Sequence, residues 1–421
     1  MPIKEVAILR RTVLTLMSMA GAALIGGQAF AADPIKIGFA MQLTGPLAGN
    51  GKAALLGAQI WAEEVNKAGG LIGRPVELVV YDDQSNPGLV PGIYSKLLDV
   101  DKVDLLLSNN TNQTMPAMPT IIQRKRLIMG MFALAVNEQF KYPGYFQIQP
   151  YGPNGKDSLT RGYFENSMTM NPKPKTVALV GADAEFSKNA LDGARAQAKR
   201  LGIEVVYDKV YPPATVNFTP VLKALQATSP DLVFVASYPA DTVGIIRTAH
   251  EIKLEPKMFG GAMVGTQYAA IKQQLGEALN GVLSFEQYIP EPTVKFPGIE
   301  EMLKKYQAKA AEQGVDVLGY YVPAFVYSAL QILGEGVAKT SSVDQQKLID
   351  YIHANTFKTV VGDIKFGADG EWVEPRMFAV QFRNIKGSDV QQFTQPGKEV
   401  IIFPPTYKSG DLVYPYADAR K

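Results

Sequence analysis

Ile35-Lys36-Ile37-Gly38-Phe39-Ala40, then a glycine-rich turn, then a helical pattern over 52–67 stopped by Gly69-Gly70, then Val76-Glu77-Leu78-Val79-Val80-Tyr81: this stretch decides the fold. A short β-branched run, a longer run in which Leu56, Ile60 and Trp61 share one side, and a second β-branched run make a strand-helix-strand unit. Parallel neighbours need a long crossover, usually a helix, and that helix then covers the sheet. Outward from here the pattern continues as a helix at 89–100, a strand at 103–108, a helix at 115–123 and a strand at 127–131. After Pro150 the same rhythm restarts. Strands are expected at 176–181, 204–207, 232–236, 258–260 and 281–285, with helices at 187–201, 218–227 and 242–252.

The remainder opens no third unit. Helices over 299–313, 322–337 and 345–354 precede only short strands at 364–366 and 378–382, so they must cover a sheet that already exists. The expected fold class is therefore α/β, with two lobes built on parallel central sheets and joined by a three-crossover hinge. Residues 32–150 and 288–366 are assigned to the first lobe, and 151–287 and 367–421 to the second lobe and the completed hinge.

The first residues carry Lys4, Arg10 and Arg11, an apolar run over 13–25 and Ala29-Phe30-Ala31, the small-x-small pattern of a signal-peptidase site. Gly21, Gly26, Gly27 and Gln28 interrupt a run already short of the roughly 20 apolar residues of a membrane span. Residues 1–31 are read as an export signal cleaved after Ala31, which places the mature chain in the periplasm. Arg10-Arg11 leaves the general and twin-arginine routes both open. Taking away Lys4, Arg10, Arg11 and Glu5 from 42 basic and 40 acidic side chains leaves 39 of each. A formally neutral chain lacks the basic excess that phosphate backbones or anionic membrane surfaces demand, so neither is expected as a partner. With no cysteine there is no disulfide and no thiolate chemistry, and stability must come from large cores. The chain is expected to act as a monomer.

Ligands of open parallel sheets bind beyond the carboxyl ends of the strands, where loops and helix N-termini leave backbone donors free. That rule selects 42–51, 108–114 and 132–137 in the first lobe, and 182–187, 237–241 and 262–267 in the second. Gln42, Thr44, Phe132, Ala133 and Ala135 fall on the first rim, and Ala262 and Met263 on the second. Residues 108–114 are seven consecutive hydrogen-bonding side chains; a cap needs one, so Asn110, Thr111 and Asn112 are read as a polar anchor for a carboxylate or amide. Tyr151, Tyr238, Tyr288 and the pair Tyr320-Tyr321 lie near rims or crossings, where packing and ligand contact are alternative roles.

Catalytic patterns are missing. His250 and His353 are the only histidines, no metal spacing or Gly-x-Ser-x-Gly elbow occurs, and residues 45–52 depart from a phosphate loop in spacing and in Ala53. Asp82-Asp83 are adjacent on a strand and so point to opposite faces, which makes loop bracing the better reading. No cofactor, metal or enzymatic activity is expected; a secreted hydrolase is the reading left without support.

Residues 35–46 (IKIGFAMQLTGP), 65–73 (VNKAGGLIG) and 81–85 (YDDQS), with Pro230-Asp231-Leu232-Val233 and Met258-Phe259-Gly260-Gly261 later, resemble the leucine/isoleucine/valine-type periplasmic binding proteins. The resemblance implies a type I periplasmic-binding fold of two Rossmann-like lobes that captures a small solute and delivers it to the membrane permease of an ABC importer. It also implies a polar loop at Thr111-Asn112 for a ligand's α-carboxylate, an Ala-x-Thr segment at Ala133-Leu134-Ala135 and an ammonium-binding acid near Ala262. Here the threonine and the acid are both lost. An unpartnered ammonium in a dry cleft costs several kcal/mol, so the expected ligand is a small carboxylate with an apolar or aromatic body. Branched-chain or other amino acids, and short amides or urea, are the alternatives.

Overall fold

The computed structural model describes residues 33–421. The export signal expected over 1–31 lies outside the described residues. Five parallel strands form the first sheet in the order β2-β1-β3-β4-β5: β1 (Ile35–Met41), β2 (Val76–Asp82), β3 (Leu105–Asn110), β4 (Ile128–Phe132) and β5 (Tyr145–Gln147). Central strands β1 and β3 are buried almost throughout, as apolar runs covered on both faces must be. The chain then builds β6 (Thr176–Ala182), β7 (Glu204–Tyr211), β8 (Leu232–Ser237), β9 (Met258–Met263) and β10 (Leu283–Glu286) of a second sheet, also parallel to one another.

From β10 the chain goes back to the first sheet. Helices Ile299–Ala310 and Pro323–Thr340 pack on helix Ala48–Lys67, which covers that sheet. The approach is close: a Cβ on Gly57 would lie 2.8 Å from the Pro323 carbonyl, and one on Gly334 2.9 Å from the Trp61 ring. Gln345, first residue of helix Gln345–Ala354, accepts from Leu127 N at 2.9 Å and donates to Asp104 O at 3.0 Å, tying this helix to the amino ends of β3 and β4.

Three expectations need correction. The strand expected at 364–366 belongs to neither main sheet: β11 (Thr356–Thr359) and β12 (Gly362–Lys365) form a separate antiparallel hairpin. The second sheet is mixed, because β13 (Phe378–Phe382) and an unexpected β14 (Glu399–Phe403) join it antiparallel beside β10, giving β14-β13-β10-β9-β8-β6-β7. These strands arrive without a crossover helix, and antiparallel pairing requires none. Finally, the first helix begins at Ala48, a turn earlier than expected. Gly51 sits in that turn because the Gln42 carbonyl would be 1.9 Å from any Cβ there.

Candidate functional site: the cleft between the sheets

At the carboxyl end of β3 there is no loop. Strand passes directly into helix Thr111–Gln123, and the Asn110 side-chain oxygen caps it by accepting from Asn112 N at 3.0 Å. The seven polar side chains therefore divide by geometry. Ser108 and Thr114 bond to each other at 3.0 Å, Asn109 turns back to Gln42 and to Met41 Sδ, and the buried Gln113 side chain has no hydrogen-bond partner among the described residues. Asn110 and Thr111 face a cavity between the sheets, and Asn112 reaches across it.

That cavity is lined by Leu47, Asn50, Asn110, Thr111 and Phe132 from the first lobe, by Phe186, Tyr238 and Val264 from the second, and by Tyr321 from the return segment. Its volume is about 20 Å³, room for about one water. Aromatic rings dominate the wall. Phe132 and Tyr321 stand 6.1 Å apart and Phe186 and Tyr238 6.1 Å; Phe285, outside the lining, lies 6.2 Å from Phe186. Not one of the nine lining side chains is charged. Two of the polar groups offer donors: Thr111 Oγ1 already accepts from Leu134 N at 2.8 Å, leaving its own proton, and Asn110 uses its oxygen on the helix cap, leaving its NH₂; Asn50 Oδ1, by contrast, is an acceptor with no partner among the described residues.

The lobes touch through Asn112. Its Nδ2 donates to Tyr238 Oη at 3.0 Å, its Oδ1 lies 3.1 Å from the same phenol, and Phe186 N donates to that Oδ1 at 3.3 Å. Burial pushes the Tyr238 phenol up, so it stays protonated and can donate. Tyr238 is also fixed from behind. Asp241 Oδ1 accepts from Tyr238 N at 3.0 Å while Asp241 Oδ2 accepts from Tyr211 Oη at 2.5 Å, and burial raises the Asp241 pKa.

Other candidates lie elsewhere. Gln42 is buried behind the rim, and exposed Thr44 holds Asp82, whose carboxylate also accepts from Leu43 N at 3.0 Å and Gln84 N at 2.8 Å. Asp83 accepts from Ser85 N at 2.9 Å, and burial raises its pKa to about 6. Both acids thus brace loops. Ala133, Ala135 and Tyr151 are buried but do not line the cavity. Ala262 and Met263 sit inside β9, paired with Ala236 and Ser237; the rim residue is Val264. Tyr288 and Tyr320 line a separate groove of about 330 Å³ with Glu291, Lys295 and Glu300, whereas the neighbouring Tyr321 faces the cavity. Leu47 and Asn50 fall within the expected 42–51 rim but are not singled out by the sequence, because glycines hide the first helical turn.

Two α/β lobes that meet over a small, uncharged, aromatic cavity make a solute-binding protein. The chain belongs to the periplasmic binding protein family, whose model matches residues 34–388. It is 26% identical over 357 residues to the leucine-, isoleucine-, valine-, threonine- and alanine-binding protein of Pseudomonas aeruginosa, covering 84% of this chain and 91% of that one. Among solved structures it is similar to a branched-chain amino acid transporter substrate-binding protein from Streptococcus pneumoniae in complex with isoleucine (TM-score 0.69, 20% identity, 84% and 97% of the two chains). It is equally similar to an ABC transporter solute-binding protein from R. palustris in complex with benzoate (TM-score 0.72, 18% identity, 90% and 98%). Membership of that family makes the chain a binding protein and not an enzyme.

Proposed function

We propose that this protein captures a small organic acid with an apolar or aromatic body in the cleft and presents it to the membrane permease of an ABC importer. The lobes proposed to close on it are residues 32–150 with 288–366, and 151–287 with 367–421. Export with removal of residues 1–31, and action as a monomer without nucleic acid, belong to the same proposal.

The observation that carries the ligand class is the cavity wall, which has aromatic rings, two spare donors and no acid. A carboxylate would take the Thr111 hydroxyl and the Asn110 amide at the N-terminus of helix Thr111–Gln123, where the helix dipole favours negative charge. An ammonium would find no anionic partner among the nine lining residues, and burying it unpaired costs several kcal/mol. One relative points the other way, since its name gives leucine, isoleucine, valine, threonine and alanine. Thermal-shift screening of the mature chain against amino acids, aromatic acids and short amides tests the proposal. Stabilisation by benzoate-like acids is expected; stabilisation by leucine or valine alone would overturn it.

A further inference from the structure

Outside the inner cavity, at the mouth of the cleft, lies a second pocket of about 160 Å³. Its walls are largely apolar, with Pro46, Pro213, Pro239 and Ala184 from both lobes. The two cavities share Leu47 and Tyr238 as walls, so one aromatic ring and one aliphatic side chain separate them.

We infer that Tyr238 sets the length of ligand the site accepts. This rests on the reading of the inner cavity as the ligand site and names the residue that limits it. Leu47 is held by packing alone, but Tyr238 is held at both ends. Asp241 and, through it, Tyr211 clamp its backbone, while Asn112 clamps its hydroxyl. Phe186, 6.1 Å away and nearly perpendicular, blocks one side of its ring. A ligand that ends at the ring leaves all these contacts in place. A longer one must drive the ring out and break both contacts to Asn112. Without the ring, the inner cavity and the mouth become one elongated apolar site, and a tail of several carbons gains a place to be buried.

The test is calorimetric titration of the wild-type mature chain, Tyr238→Phe and Tyr238→Ala with two homologous series. One runs from benzoate through phenylacetate and 3-phenylpropanoate to 4-phenylbutanoate, the other through 2-aminobutyrate, norvaline and norleucine. In the wild type, affinity is expected to fall along a series; in Tyr238→Ala it is expected to rise, by about fourfold for each methylene buried. Tyr238→Phe keeps the ring but not its tether, and is expected to keep the wild-type order with a shallower fall. Tyr238→Leu, a milder truncation checked for folding by circular dichroism, is expected to shift the order in the same direction as alanine. An unchanged length order in the truncated variants overturns the inference while leaving the aromatic-acid reading standing. A reversed order in the amino-acid series, with the aromatic acids silent, sinks that reading but supports the role of Tyr238. No binding in either series overturns both.

Discussion

Asn112 and Tyr238, 126 residues apart in sequence and on opposite lobes, satisfy each other's side chains across the cleft at 3.0 and 3.1 Å. Each residue is presented by a strand end, Asn112 after β3 and Tyr238 after β8, so the contact forms only when the two sheet rims meet.

Asn112→Ala is therefore expected to weaken binding of an aromatic acid such as benzoate by about fivefold, since one net hydrogen bond contributes on the order of 1 kcal/mol. The melting temperature without ligand should move little, because Asn112 lies on the surface between lobes and not in either core. Calorimetry with parallel thermal melts measures both.

Val264→Glu places a carboxylate in the cavity wall. Acid ligands should lose about a hundredfold in affinity through like-charge repulsion in a partly buried site, and leucine should gain a partner for its ammonium. Ala262→Glu, by contrast, buries its charge inside β9 and should lower the melting temperature sharply. Titrations with benzoate and leucine, together with melts, separate the two positions.

Asp83 carries a pH signature. Burial raises its folded-state pKa to about 6 from 3.8, so the folded chain holds the proton more tightly than the unfolded one. This contribution is complete below about pH 4 and is lost as pH rises towards about 6, to the extent of about 1–2 kcal/mol. Asp83→Asn removes the penalty. Denaturant unfolding should find the variant more stable than wild type at pH 7.5 and no more stable at pH 4.

Within the second lobe, Lys272 lies 2.5 Å from Glu399 and 3.9 Å from Glu286, and all three are almost wholly buried. One cation faces two carboxylates, and burial raises the Glu286 pKa well above the ordinary carboxylate value. Lys272→Met leaves Glu399 unpaired and should cost about 3–5 kcal/mol. Adding Glu399→Gln should recover much of that loss in urea unfolding.

The sheets were legible because their central strands are continuous apolar runs, as in Leu105-Leu106-Leu107 or Leu232-Val233-Phe234-Val235. β5 has only three residues and directly follows Pro143-Gly144, too short to show a period. β14 is apolar, but its place beside β13 depends on long-range pairing that no local pattern encodes. The site was half legible. Strand ends pointed to Asn110, Thr111, Asn112 and Tyr238, all of which line the cavity or its mouth. Val264 lies within the expected 262–267 rim, but the family resemblance points to Ala262, two positions earlier, because Gly260-Gly261 leaves the end of β9 unmarked by side chains. Which of Tyr320 and Tyr321 faces the cavity depends on irregular backbone, where side-chain direction has no period.

The central claim is that the groove between the lobes takes an acid through Thr111 and Asn110 and rejects a free ammonium. Calorimetric titration of residues 32–421 with benzoate, 4-hydroxybenzoate and leucine, repeated on Thr111→Val, addresses it directly. Micromolar binding of at least one aromatic acid, lost by about tenfold or more in Thr111→Val, with no heat from leucine, is the predicted result. Micromolar binding of leucine with both aromatic acids silent would contradict it.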